Sequence, residues 1–167
     1  MSKDAIKLMR KKIIECVIST DMTFHAKQFT YLKLKIDNYE IKNGKGVEKM
    51  LEGLDSVSLS QTKQEFLNIL IHASDISNPT KPFNVYTQWA DRVMAEFYSQ
   101  GDKERELGLN ISFLCDRSTV TIPNSQIGFM DGIVYPFFIS LTNIFNGLQF
   151  LIDNIKNNKE EYKKLKN

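Results

Sequence analysis

"HASDISNPTKPF", residues 72–83, is the stretch on which the fold turns. Asn78 stands before Pro79 and Lys81 before Pro82. A residue that precedes proline is pushed out of the helical region, so a helix arriving here must end. "QEFLNILIHASDI" upstream and "FNVYTQWADRVMAEFYSQ" downstream both carry apolar residues at helical spacing. The stretch is therefore a junction between two helices. His72 and Asp75 lie three apart and share a face at the end of the first one. A carboxylate at that end meets the unfavourable pole of the helix dipole, which a nearby cation or hydrogen-bond donor would offset. Metal ligation is one explanation. A surface aspartate beside a packed histidine is the other, and two ligands do not make a site.

Helical patterning extends outward from the junction. Ser2 and Asp4 offer N-caps for a helix carrying Ile6, Met9, Ile13, Ile14 and Val17. "STDMTFH", residues 19–25, breaks it, because Ser, Thr and Asp side chains compete with the helix backbone. A second run follows through Phe29, Leu32 and Ile36. Residues 37–58 are polar with three glycines and read as a flexible surface connection. Ser58 with Gln61 forms a capping-box pattern for the helix that enters the junction. After the junction, Gly101 is the expected C′ residue, "DKERELG" an exposed turn and "CDRSTVTIP" a loop. Asn124 or Ser125 then caps a long apolar helix to about residue 146, with a bend expected at Pro136. A last amphipathic helix carries Phe150, Ile155 and Tyr162. The expectation is an all-α helical bundle.

Bulk composition narrows the function classes. The 167 residues are 42% hydrophobic, enough for one domain with a real core. Net charge is +2 with acids and bases interspersed, and no basic stripe with interleaved aromatics argues for nucleic acid. Cys16 and Cys115 form no C-x-x-C, which removes a zinc knuckle or redox motif and fits reduced thiols on the cytoplasmic side of a cell. The first residues lack the apolar core of a signal peptide. Residues 132–145 are the most apolar stretch and read as a buried core helix, too short for a membrane segment. A longer parent protein could still be membrane-attached.

Two further patterns point to a ligand. Tyr86, Trp89, Val93 and Phe97 step by three, four and four along one helix face. Such a stripe is ordinarily core, but it is aromatic and begins just after the aspartate, as a slot for an aromatic base beside an acidic group would. Gln126 has an amide that both donates and accepts, and Phe129 lies three residues on. Together they can read a purine, the ring stacking and the amide pairing; a capping glutamine with a core phenylalanine is the plainer alternative.

The T-D-M-x-x-H turn, H-x-x-D-x-S-N-P, the Y-x-x-W helix, E-F-x-x-Q-G-D-x-E-R-E, C-D-R and S-Q-x-G-F occur in this order, within a likeness that covers roughly residues 5–165. In this the chain closely resembles the class I 3′,5′-cyclic-nucleotide phosphodiesterase catalytic domain, of the HD superfamily. The resemblance implies an all-helical enzyme of signal transduction that hydrolyses cAMP or cGMP to the 5′-nucleotide. It implies two divalent ions, zinc with magnesium or manganese, that activate a hydroxide. It makes Asp75 a metal ligand, Gln126 the purine-binding glutamine, and Val93 and Phe129 the two sides of a clamp on the base. Asn78, Tyr86 and Trp89 line the pocket, and Met22 belongs to the T-D-M turn near its metal end. His25 and His72 are left as supporting or structural residues.

The family's H-N-x-x-H and H-D motifs do not occur in these residues, and with them go the leaving-group acid and the remaining protein ligands. The chain thus resembles the C-terminal half of the domain, a partial domain over residues 1–167, with no catalytic residue of its own. The expectation is that it is inactive alone, binds metal weakly, and exposes surface fit for the other half-domain or a second copy. A non-catalytic cyclic-nucleotide-binding or regulatory module is the alternative reading.

Overall fold

In the computed structural model, which describes residues 1–165, the described residues form eight α-helices. Lys166 and Asn167, the end of the partial domain read from the sequence, lie outside the described residues. The helices are α1 (Lys3–Ile18), α2 (His25–Asn38), α3 (Val47–Leu51), α4 (Ser56–Asp75), α5 (Phe83–Glu106), α6 (Ile122–Phe129), α7 (Tyr135–Ile144) and α8 (Gln149–Lys164). Single tighter turns sit at Met22–Phe24 and Asn78–Thr80, and a wider π turn at Met130–Val134. No strand forms among the described residues, as the sequence led us to expect. The chain divides into two compact units. One is Met1–Ile76 with Phe137–Leu148; the other is Ser77–Pro136 with the residues from Gln149 on.

In the first unit, α1 begins at Ser2, whose hydroxyl accepts from the Ala5 amide at 3.2 Å. It stops at Ile18, where the broken pattern predicted. The Asp21 carboxylate then takes the Thr23 amide at 2.8 Å and starts the next turn. The cap of α4 differs from the sequence expectation. Asp55, not Ser58, accepts from the Val57 and Ser58 amides at 2.9 and 2.8 Å. An ionised carboxylate is the stronger acceptor for the unpaired amides of a first turn. Residues 37–58 are also more ordered than their composition suggests. They hold α3 and bury Ile41 and Met50, two apolar side chains that a count of polar residues overlooks. The core here is Leu32, Ile41, Met50, Ile69, Phe137, Phe138, Leu141 and Ile144. Each such side chain contributes about 1.5–3 kcal/mol on burial.

In the second unit, α5 does not end at Gly101. It runs through that residue to Glu106, and Gly108, at φ +67°, takes the left-handed position after the helix. Gly101 serves close packing instead, since a Cβ there would overlap the Cys115 carbonyl oxygen. α6 starts at Ile122 with Pro123 in its first turn, earlier than the Asn124 or Ser125 cap read from the sequence. Proline is tolerated there because a first-turn amide has no helical partner. The bend expected at Pro136 takes the form of the π turn just before it. A proline cannot donate to the carbonyl four residues back, and a widened turn absorbs that loss. The run Ile122–Ile144 is 23 residues, longer than the apolar stretch read from the sequence, and by length and composition alone it is sufficient to cross a membrane. Phe137, Phe138, Leu141 and Ile144 near its end are buried in the first unit.

α8 closes the second unit over the Asn-Pro turn. Asn158 Nδ2 donates to the Pro79 and Lys81 carbonyls at 2.9 and 2.8 Å, and Asn154 Nδ2 donates to the Thr80 carbonyl at 2.8 Å. Pro79 and Thr80 are buried as a result. The two prolines break the helix, and α8 holds the break in one shape.

Candidate functional site

Three of the sequence-predicted residues form one hydrogen-bonded chain in the second unit. Tyr86, fully buried on α5, donates its hydroxyl to Gln126 Oε1 on α6 at 2.8 Å. Asn78 Nδ2 donates to the Tyr86 backbone carbonyl at 3.3 Å. Gln126 is itself buried, and its amide nitrogen has no protein acceptor among the described residues. A phenol hydroxyl can donate or accept, so Tyr86 can hold the Gln126 amide in either orientation. Burial disfavours the phenolate of Tyr86 and pushes its pKa up, with the nearby Tyr162 adding to the rise. The hydroxyl therefore keeps its proton across the physiological range. The Tyr162 ring lies edge-on behind that of Tyr86, centroids 5.4 Å apart, and sets the angle from which the hydroxyl approaches.

The remaining residues of the predicted pocket flank this chain on the same elements. Trp89 and Val93 follow Tyr86 on α5 and are exposed. Phe129 follows Gln126 on α6 and is half-buried. The Arg92 guanidinium stands 5.1 Å from the centre of the Trp89 ring. Ser125, next to Gln126, points its hydroxyl at the Met94 sulfur at 3.4 Å, which ties the start of α6 to α5.

Asp75 and Met22 belong to the first unit. Asp75 is the last residue of α4 and is exposed; Met22 opens the short turn after α1 and is also exposed. What joins their two motifs is a pair of histidines that the sequence reading set aside. His25 Nδ1 and His72 Nε2 lie 2.9 Å apart, and both rings are buried against Phe137. One nitrogen must carry the shared proton and the other must be bare, so the two rings cannot both be charged in this bond. The pKa of His25 is lowered by burial and then by the neighbouring His72. That of His72 is lowered by burial, while the Thr20 backbone and the Asp75 carboxylate oppose the shift. A sequence signal for the pair existed: each histidine stands in a quoted motif, T-D-M-x-x-H and H-x-x-D. Nothing in either spacing said that they meet.

The residues present do not fit a two-ion centre. Among the described residues no three His, Cys, Asp or Glu side chains converge as a ligand group. His72 Nε2 is engaged by His25, which leaves Asp75 as a single exposed carboxylate. One such ligand does not hold a divalent ion at useful affinity.

Comparison with known proteins identifies the family. The family model "3'5'-cyclic nucleotide phosphodiesterase" matches residues 1–155. A "Probable 3',5'-cyclic-AMP phosphodiesterase pde-4" of Caenorhabditis elegans is 38% identical over 156 residues, 92% of this chain and 22% of that protein. "3',5'-cyclic-AMP phosphodiesterase 4C" of Rattus norvegicus is 36% identical over 155 residues, 92% of this chain and 27% of that one. The solved phosphodiesterase domain of Salpingoeca rosetta rhodopsin phosphodiesterase superposes with a TM-score of 0.79 at 27% identity, over 99% of this chain and 47% of that one. The chain thus spans about a quarter of the length of these curated relatives, and it corresponds to the C-terminal part of the catalytic domain. With the family model matching most of its length and the helical fold shared, the chain belongs to the 3′,5′-cyclic nucleotide phosphodiesterase family.

Proposed function

We propose that this chain forms the base-binding side, and one metal-ligand position, of a domain that hydrolyses 3′,5′-cyclic nucleotides in signal transduction on the cytoplasmic side of a cell. The observation that carries this reading is the buried Gln126 amide held by the Tyr86 hydroxyl at 2.8 Å. A buried amide with a free edge, oriented by a partner that can donate or accept, suits the polar edge of a purine. Val93 and Phe129 flank the ring of the base, and Trp89 and Asn78 line the approach. The curated relatives compared above are named cyclic-AMP phosphodiesterases, which supports cAMP as the substrate.

The family chemistry uses divalent ions, and we assign zinc with magnesium or manganese to the complete domain, with Asp75 as one ligand. The other ligands and the leaving-group acid are not among this chain's residues. Alone, the chain is inactive and binds metal weakly. Calorimetry with zinc, with a hydrolysis assay on cAMP and cGMP, tests this: neither tight binding nor turnover is expected from this polypeptide, and robust turnover would overturn the reading. In an assembly that restores the ligands, Gln126→Ala should weaken nucleotide binding by about 1–3 kcal/mol, roughly 5- to 150-fold in Kd. Nucleotide binding without turnover in that assembly would favour a non-catalytic module.

A further inference from the structure

We infer that Asn146 is a site of spontaneous covalent modification, at which the side-chain amide is lost and aspartate or isoaspartate takes its place. This goes beyond the proposed function and needs neither metal nor nucleotide.

The chemistry begins with an asparagine that precedes a residue with little or no side chain. The backbone nitrogen of the second residue attacks the asparagine Cγ. A bond forms between that nitrogen and Cγ, and the Cγ–Nδ2 bond breaks. Ammonia leaves with the proton that the backbone nitrogen gives up, and a succinimide ring remains. Solvent water then opens the ring at either carbonyl. One opening gives aspartate; the other gives isoaspartate, in which the main chain runs through the side-chain carbon. A backbone N–H that is bonded to a carbonyl is held away from this reaction.

Three asparagines stand before glycine or serine: Asn43 before Gly44, Asn124 before Ser125 and Asn146 before Gly147. The structure separates them. Gly44 N–H donates to the Asn143 carbonyl at 2.7 Å, and its turn is pinned by the pairing of Lys42 with Lys45. Ser125 N–H donates to the Thr121 carbonyl at 3.0 Å in the opening turn of α6. The Gly147 amide has no acceptor among the described residues, and the Asn146 side chain has no partner there. Both residues are exposed, in the turn between the end of α7 at Ile144 and the start of α8 at Gln149.

Space and backbone freedom favour the same residue. Nothing lies within 4 Å of where a Cβ on Gly147 would stand, so the side from which its nitrogen closes on Cγ is open. Gly147 already sits at φ +95°, and a glycine there passes between conformations that a residue with a side chain resists. The product is also tolerated. A Cβ on Gly44 would stand 3.5 Å from the Asn146 Cβ, so a carboxylate at position 146 arises beside the exposed hairpin that carries Lys42 and Lys45. A new anion near exposed cations costs the fold little.

The test is incubation of the full chain at mildly alkaline pH, folded and in denaturant, with each asparagine followed by peptide mass spectrometry. Enzymatic methyl labelling of isoaspartate identifies the product. In the folded chain Asn146 should convert at least about tenfold faster than Asn43 or Asn124, whose following amides are released only by local opening. In denaturant Asn43 should approach the Asn146 rate, because the fold alone separates these two Asn-Gly pairs. Asn146→Gln should abolish the label in the segment between α7 and α8, and Asn43→Gln should leave it unchanged. An unreactive Asn146, or an Asn43 that converts as fast as Asn146 in the folded chain, would overturn the inference.

Discussion

α1 and α8 are both amphipathic helices of 16 residues, and the structure treats them in opposite ways. α8 buries Ile152, Ile155, Asn158 and Tyr162 and anchors the Asn-Pro turn through Asn158. α1 buries nothing and presents its apolar stripe outward. Amphipathic patterning states which face of a helix wants cover; it does not state that the cover is present in the same chain. The contrast has chemical content. The hydrogen-bonded chain Asn78–Tyr86–Gln126 lies in the unit that α8 closes, whereas Asp75 lies in the unit where α1 is left bare.

The comparison breaks most readily at Tyr162. Tyr162→Ala removes a 2% exposed ring that packs on Phe83 and Tyr86, and it should cost about 3–5 kcal/mol in denaturant unfolding. A loss below 1 kcal/mol would mean that α8 is not docked as described. Next comes Asn158→Ala, which strands the Pro79 and Lys81 carbonyls and should cost about 1–3 kcal/mol. Because those carbonyls belong to the turn that carries Asn78, nucleotide binding in a completed domain should weaken with it.

A smaller effect is expected from the histidine pair in the α1 unit. Both folded-state pKa values lie below the ordinary 6.5, so the unfolded chain binds more protons as pH falls through that value. Stability contributed by the neutral pair is present above pH 6.5 and is lost progressively below it, until the folded pKa is passed. Unfolding midpoints measured from pH 8 to pH 5 should fall, and a flat profile in this window would contradict the buried pair. Smallest of all is Ile13→Asp in the isolated chain, where a shift within about 0.5 kcal/mol is expected at an already exposed position. A larger destabilisation would show that the α1 face is covered after all.

Much of the site was legible because local chemistry dictated it. Asn78-Pro79 had to end a helix, and α4 does end just before, at Asp75. The spacing of Tyr86, Trp89 and Val93 had to place them along one helix, and it does. Gln126 and Phe129 had to share a face of the next one. Signals that depend on neighbours distant in sequence were less readable. Gly101 looked like a helix end because glycine usually is one, but its missing side chain makes room for the Cys115 carbonyl. Ser58 looked like a cap because the local pattern fits, but the helix starts three residues earlier, where Asp55 takes the Val57 and Ser58 amides. His25 and His72 are 47 residues apart, and no periodicity links them.

The sequence by itself determined most of the helices, their breaks at the T-D-M turn and at Asn78-Pro79, and which side chains are candidates for a nucleotide site. These follow from backbone sterics at proline, from side-chain spacing on a 3.6-residue turn, and from motifs quoted in order. The tertiary structure alone decided which of those side chains are bonded to one another, that the two histidines share a proton, and that one of two similar amphipathic helices is left uncovered. Those outcomes depend on whether a complementary surface lies within reach in space, and spacing along a chain carries no record of that.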